Sequence, residues 1–176
     1  LTIVFLEKKE KKRYIGLSTT DPLTGLMNRR AFQRTLEDEL RNQKPGIFIF
    51  IDVDNFKNYN DRYGHNVGDL CLTHFAQTMK KIFPDGSILG RYGGDEFVVY
   101  LKNTSSESAQ QYMQYFQEQV AHMHLPSGEA IELSASAGGA AFPKQGEDFI
   151  SLCRSADMAL YDVKRNGKAA FKMKGH

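Results

Sequence analysis

Two apolar runs that each meet carboxylates constrain this chain more than any other feature. Residues 47–51 are continuously apolar and close on Asp52, Val53 and Asp54. Further along, Ile88 and Leu89 lead into Arg91, Tyr92, Gly93, Gly94, Asp95 and Glu96, after which Phe97 to Leu101 is apolar again. Short apolar runs bounded by turn formers predict strands buried on both faces. The pair of runs around Gly93 and Gly94 predicts a β-hairpin, its glycines in a tight turn needing positive φ. Charge at the start of a buried strand is costly unless something binds it. Two strands delivering carboxylates to one place therefore predict a magnesium–nucleotide site.

The remaining periodicity supplies the frame. Asn28 can cap a helix whose apolar positions are Ala31, Phe32, Leu36 and Leu40, broken at Pro45 and Gly46. Phe56 to Asp61 reads as a short helical turn and Tyr63 to Gly68 as a polar loop. A second long helix fits Val67, Leu70, Cys71, Phe75, Met79 and Ile82, ending at Pro84, Asp85 and Gly86. A third spans Ser105 to Met123. Ile131 to Phe142 reads as a strand interrupted by Gly138 and Gly139. A last helix runs from about Asp148 to Asn166 and Gly167, and Ala169 to Met173 offers a final strand. A hairpin set inside a βα alternation predicts an α+β fold with helices packed on the sheet.

The chain has 176 residues, 41% of them hydrophobic and 12 of them Phe, enough for one domain with a full core plus a short extra segment. Its net charge of +2 gives no electrostatic case for a nucleic-acid partner. Cys71 and Cys153 form no Cys-x-x-Cys motif and read as two reduced, buried thiols of a cytoplasmic protein. No run reaches the length of a transmembrane span, so direct membrane contact by the domain is not expected. Leu1 to Leu6 is almost wholly apolar and residues 7–13 are charged. Three readings fit: the last strand of an upstream domain, the end of a membrane helix followed by cytoplasmic charge, or an ordinary leading helix. Residues 1–18 are accordingly assigned to a linker or the end of an upstream sensor or transmembrane region, and 19–176 to the domain.

Each acid has a bland reading beside the functional one. Asp52 either caps the turn after its strand or binds a cation. Asp95 and Glu96, adjacent on a strand, would point to opposite faces, one toward metal and one from the edge. Between Asn55 and Asp69 lie Lys57, Asn60, Asp61, His65, Asn66 and Asp69. An amide with a carboxylate can select guanine, whose N1 and N2 hydrogens need an acceptor; a solvated polar loop would carry the same composition. His65 reads as a structural, hydrogen-bonding histidine. Lys164 and Lys168 either compensate the dipole of the last helix or reach a triphosphate.

Taken in order, these residues resemble the GGDEF family, the diguanylate cyclases. The opening signature is similar in Asp21, Pro22, Leu23, Thr24, Gly25, Leu26, Asn28, Arg29 and Arg30. The nucleotide segment matches at Asp52, Asp54, Phe56, Lys57, Asn60, Asp61, Gly64, His65, Gly68 and Asp69, the hairpin at Arg91 to Phe97, and the closing helix at Ala156, Asp157, Ala159, Leu160, Tyr161 and Lys164. The resemblance implies a palm-type, ferredoxin-like sheet of about five mainly antiparallel strands, binding one GTP per domain. It implies two domains meeting as a homodimer to form cyclic di-GMP and two pyrophosphates with Mg2+ or Mn2+. By the same likeness Asp52, the Val53 carbonyl, Asp95 and Glu96 would hold the metal, with Asp95 or Glu96 assisting deprotonation. Asn60 and Asp69 would read guanine, and Gly93 and Gly94 would leave room for the nucleotide. Phe56, Lys57, Lys164 and Lys168 would attend the phosphates. An upstream sensor would set the pairing of domains.

Two departures carry expectations. Gly167, Lys168, Ala169 stands where the family usually has Gly-Arg-Asn, trading a bidentate cation for a point charge. Pro84 to Ser87 stands where many members carry an inhibitory Arg-x-x-Asp, so feedback inhibition at that site is expected to be missing. The competing reading is a non-catalytic module that binds GTP or cyclic di-GMP; a third, a generic nucleotidyl-transferase palm, lacks the Asn60–Asp69 segment.

Overall fold

A computed structural model describes residues 18–175; the expectation for residues 1–17 lies outside the described residues. The centre is β2 (Gly46–Val53), antiparallel to β4 (Glu96–Lys102) on one side and β7 (Ala135–Phe142) on the other. Outside β4 lies β3 (Ile88–Arg91), then the two-residue β1 (Met27–Asn28); outside β7 lies β8 (Phe171–Met173). The order β1-β3-β4-β2-β7-β8 makes six strands, with parallel pairing at both outer positions. The expected α+β, mainly antiparallel sheet is present, one strand larger.

Helices cover both faces, which is why the central strands read as continuous rather than alternating apolar runs. On one face Ile47, Ile49, Ile51, Phe97, Val99 and Leu101 pack with Phe75 and Met79 of α3 (His65–Ile82) and Met113 and Phe116 of α4 (Ser106–Val120). On the other, Phe48, Phe50, Val98 and Tyr100 pack with Phe32 and Leu36 of α1 (Arg29–Leu40) and Leu152 and Leu160 of α5 (Phe149–Arg165). Each such buried side chain contributes about 1.5–3 kcal/mol. The expected cap at Asn28 is present, and α5 is capped as well. Asn28 accepts from the Ala31 amide at 2.9 Å, and Asp148 with Ser151 forms a capping box.

Several local expectations are corrected. Tyr63 to Gly68 is no loop: α2 (Phe56–Tyr63) gives way to α3 across Gly64 alone, whose φ of 85° turns the chain. Helix α4 stops at Val120, and Met123 enters β5 (His122–His124), a hairpin with β6 (Ala130–Glu132). The run from Ile131 is thus two strands, β6 and β7. Gly138 and Gly139 do not interrupt β7; they let other groups approach. A Cβ on Gly138 would stand 2.1 Å from the Ala156 carbonyl oxygen of α5. Cys71 is buried, but Cys153 only partly so. No helix among the described residues is long and apolar enough to cross a membrane.

Candidate active site

Register brings the acids together. Asp52 lies opposite Glu96 across the β2–β4 ladder, so both side chains leave the same face of the sheet. Asp95, expected on the strand beside Glu96, instead ends the loop before it; its carbonyl accepts the Val53 amide at 3.0 Å. From the end of α5 the Lys164 ammonium donates to Asp52 Oδ2, while Asp52 Oδ1 is buried with no hydrogen-bond partner. Burial pushes the Asp52 carboxyl above its ordinary value, against the Lys164 bond and with the added repulsion of Asp95. Glu96 is raised likewise, by burial and then by Asp52 and Asp95. Burial alone would lower Lys164, but its bond to Asp52 and the surrounding acids hold it above its usual value.

The loop from Tyr92 to Asp95 is a four-residue connection rather than a tight two-residue turn. The Tyr92 and Gly93 amides donate to the Glu96 carbonyl at 2.8 and 3.3 Å, and neither Gly93 nor Gly94 has positive φ. The Arg91 side chain supplies what turn geometry does not. Its Nε donates to the Gly93 and Gly94 carbonyls at 3.2 and 3.1 Å, and Nη2 to Gly94 at 2.7 Å. Its Nη1 donates to Asp21 Oδ1 at 3.1 Å, tying the loop to the opening segment. Burial disfavours the Asp21 charge, but the Thr24 hydrogen bonds and Arg91 together hold its carboxyl below the ordinary range. A Cβ on Gly94 would meet nothing within 4 Å, whereas one on Gly93 would stand 2.4 Å from Glu96 Oε2. Open space therefore lies beside Gly94.

The other wall starts with Asn55, in the left-handed region at φ 53°. Lys168 Nζ donates to its Oδ1 at 2.7 Å, so both lysines cross from the end of α5 to the end of β2. Asp54, between them, is buried and structural. Its carboxylate accepts from Ser134 at 2.8 Å, Ser136 at 2.6 Å and the Ala169 amide at 3.1 Å. On α2, Lys57 is exposed, Phe56 is half-buried against the core, and Asn60 lies over Gly68, where a Cβ would fall 1.9 Å from Asn60 Oδ1. Asp69 is exposed on the second turn of α3. His65, expected to be hydrogen-bonded, is exposed, and its imidazole makes no hydrogen bond among the described residues.

Structure thus gathers Asp52, Asp95, Glu96 and Lys164 at one end of the sheet, with Asn55 and Lys168 beside them. Sequence reasoning missed the work of Asp54, of the Arg91–Asp21 pair and of Tyr59, which bonds to the hairpin beyond α2. Their partners are 70 to 115 positions away, so no local pattern marks them. Among the described residues no three acidic, histidine or cysteine side chains converge on a ready-made metal centre.

The sheet, its looped hairpin and the carboxylates at its end define a palm-like α+β domain. The family model described as diguanylate cyclase, GGDEF domain, matches residues 18–170, and the chain belongs to that family. It is similar to the probable diguanylate cyclase DgcC of Escherichia coli, 33% identical over 91% of this chain and 44% of that protein. It is also similar to the cyclic di-GMP phosphodiesterase PdeR of the same species, 34% identical over 94% of this chain and 25% of that one. The chain therefore spans less than half the length of either relative. A solved structure comprising the GGDEF domain of PA1120 (TpbB or YfiN) from Pseudomonas aeruginosa superposes with a TM-score of 0.83. That domain is 31% identical, and the match covers 88% of this chain and 94% of that one.

Proposed function

We propose that this chain is a diguanylate cyclase that condenses two GTP into cyclic di-GMP and two pyrophosphates, acting in the cytoplasm as a two-fold pair. The observation that carries this reading is Asp52 placed opposite Glu96, with Asp95 beside them. In each half-reaction the 3′-hydroxyl oxygen of one GTP attacks the α-phosphorus of the other, and the bond to the departing pyrophosphate breaks. Each domain holds one nucleotide, so the two sites must face each other.

The residues fit a magnesium ion. Asp52 Oδ1 is a buried acceptor with no partner, and burial, with the neighbouring acids adding to it, raises the proton affinity of Asp52 and Glu96. Asp52, the Val53 carbonyl, Asp95 and Glu96 are the oxygen donors, and substrate phosphates complete the set. When bound, Mg2+ (or Mn2+) would lower the hydroxyl pKa and offset charge on the leaving group. Lys164 and Lys168, now on Asp52 and Asn55, supply cations to the triphosphate, and the backbone at Phe56 and Lys57 approaches it. Asn60 and Asp69 read the guanine edge, and the open space beside Gly94 receives the nucleotide. A sensor region upstream would govern pairing in the longer protein.

The test is incubation of the chain at several concentrations with GTP and magnesium, followed by chromatography. Cyclic di-GMP rising faster than linearly with protein supports a dimer-dependent cyclase. Bound GTP with no product at any concentration replaces this reading with a non-catalytic binding module.

A further inference from the structure

The base-reading helix is held by something outside the nucleotide site. Asn60 sits on α2, a helix of eight residues, too short to be stable without packing. Its side toward Asn55, Asn58 and Arg62 lines an open groove of about 800 Å³ shared with the β5–β6 hairpin. What crosses that groove is Tyr59. Its hydroxyl donates to the Glu132 carbonyl at the end of β6, the one side-chain hydrogen bond from α2 to the hairpin among the described residues. Its ring stacks on Tyr63, with centroids 6.4 Å apart and planes 18° from parallel. Both rings rest on the small cluster of Cys71, Met123, Ile131 and Leu133.

The acceptor is itself well anchored. Two residues past Glu132, the Ser134 carbonyl accepts the Asp54 amide at 2.8 Å and the Ser134 hydroxyl donates to the Asp54 carboxylate. Asp54 follows Asp52 by two positions, immediately after β2. One short path thus runs from the carboxylate end of β2, through Ser134 and Glu132, across to Tyr59, and on to the next residue, Asn60.

From this we infer that Tyr59 is a positioning residue for base recognition. By bonding α2 to the hairpin, it sets the distance between the guanine-reading amide of Asn60 and the carboxylates that face the reacting phosphate. It touches neither nucleotide nor metal. The inference rests on the reading that Asn60 recognises guanine. Losing the hydroxyl leaves the ring, the stack and the core in place, but removes the bond that ties α2 to the hairpin across the groove. Base contacts weaken while the phosphate end is unchanged.

The experiment measures binding of 3′-deoxy-GTP and 3′-deoxy-ITP, with magnesium, to the wild-type chain, Tyr59→Phe and Asn60→Ala. These nucleotides lack the attacking hydroxyl, so binding is read without turnover, and inosine lacks the guanine 2-amino group. Tyr59→Phe is expected to weaken the guanosine nucleotide about three- to tenfold, the range of one net hydrogen bond, and to narrow its preference over inosine. Hydrogen exchange of the α2 amides should rise while that of β2 and α5 stays as in the wild type. Asn60→Ala separates the two claims. If it weakens guanosine binding while Tyr59→Phe leaves affinity and preference unchanged, the positioning role is overturned. If Asn60→Ala itself changes nothing, the base-reading assignment fails and takes the inference with it.

Discussion

Gly138→Ala is the substitution whose outcome follows most directly from distances. Gly138 pairs with Phe50 across the centre of the sheet, and α5 crosses directly over it. An added Cβ would stand 2.1 Å from the Ala156 carbonyl oxygen, 2.4 Å from the Leu160 nitrogen and 3.0 Å from the Leu160 Cα. All three are helix backbone, so no rotamer change relieves them. Ordinary contact lies at about 3.5–4 Å, so α5 must withdraw by roughly 1 Å or more. The withdrawal loosens Leu152, Ala156 and Leu160 against Phe48 and Phe50. Overpacking of this kind costs about 1–3 kcal/mol, and rigid backbone neighbours place this site near the upper end. For a domain of this size that lowers Tm by roughly 5–10 °C. Lys164 lies one turn beyond Leu160, so the bond to Asp52 should be lost and GTP should bind more weakly. Urea unfolding and calorimetry read the first effect, and titration with 3′-deoxy-GTP the second. Gly94→Ala is the stability control: its Cβ enters open space at a φ outside the left-handed region, and stability should hold within about 0.5 kcal/mol. If Gly138→Ala unfolds within about 1 kcal/mol of the parent, α5 is not seated on β7 as described, and the placement of Lys164 falls with it.

Asp54→Ala removes the acceptor for the Ser134 and Ser136 hydroxyls and the Ala169 amide. It should destabilise the domain by about 3 kcal/mol in urea, and a cost under about 1 kcal/mol would contradict its structural role. Asp52 and Glu96 bind protons more tightly folded than unfolded, so the metal-free protein should lose stability as pH climbs from about 4 through their raised values. Glu96→Gln should flatten part of that decline and, after allowing for solvent screening, raise stability at neutral pH by about 0.5 kcal/mol. A Tm profile that rises with pH over this window, or a variant less stable than the parent, would refute the crowding of acids. Lys164→Met frees Asp52, so nucleotide-free protein should bind Mn2+ roughly tenfold more tightly by paramagnetic resonance titration. Unchanged affinity would show that Lys164 does not compete for the carboxylate.

Much of the site was legible in the chain because its parts are contiguous. Asp52 ends an apolar strand and Asp95 and Glu96 follow a Gly-Gly loop, so local pattern alone placed acids beside a sheet. The errors were also local in origin. Tyr63 to Gly68 is polar enough to look like a loop, yet the exposed start of α3 needs no apolar residue there; Gly64 makes the whole turn. The Gly-Gly pair looked like a positive-φ turn because the side chain that shapes it, Arg91, forms its bonds only once the chain is folded.

What the sequence by itself determined is the main helices and central strands, the family and the residues its motifs single out. All of these depend on residues within a few positions of one another, where period and capping act. Tertiary structure alone decided who partners whom. Lys164 on Asp52, Lys168 on Asn55, Asp21 on Arg91 and Tyr59 on the Glu132 carbonyl each join residues 70 or more positions apart. Such pairs are set by strand register and helix seating, and a short-range pattern carries no information about either. The same folding that brings Asp52, Asp95 and Glu96 within repulsive reach also holds them there, through the packed strands behind them.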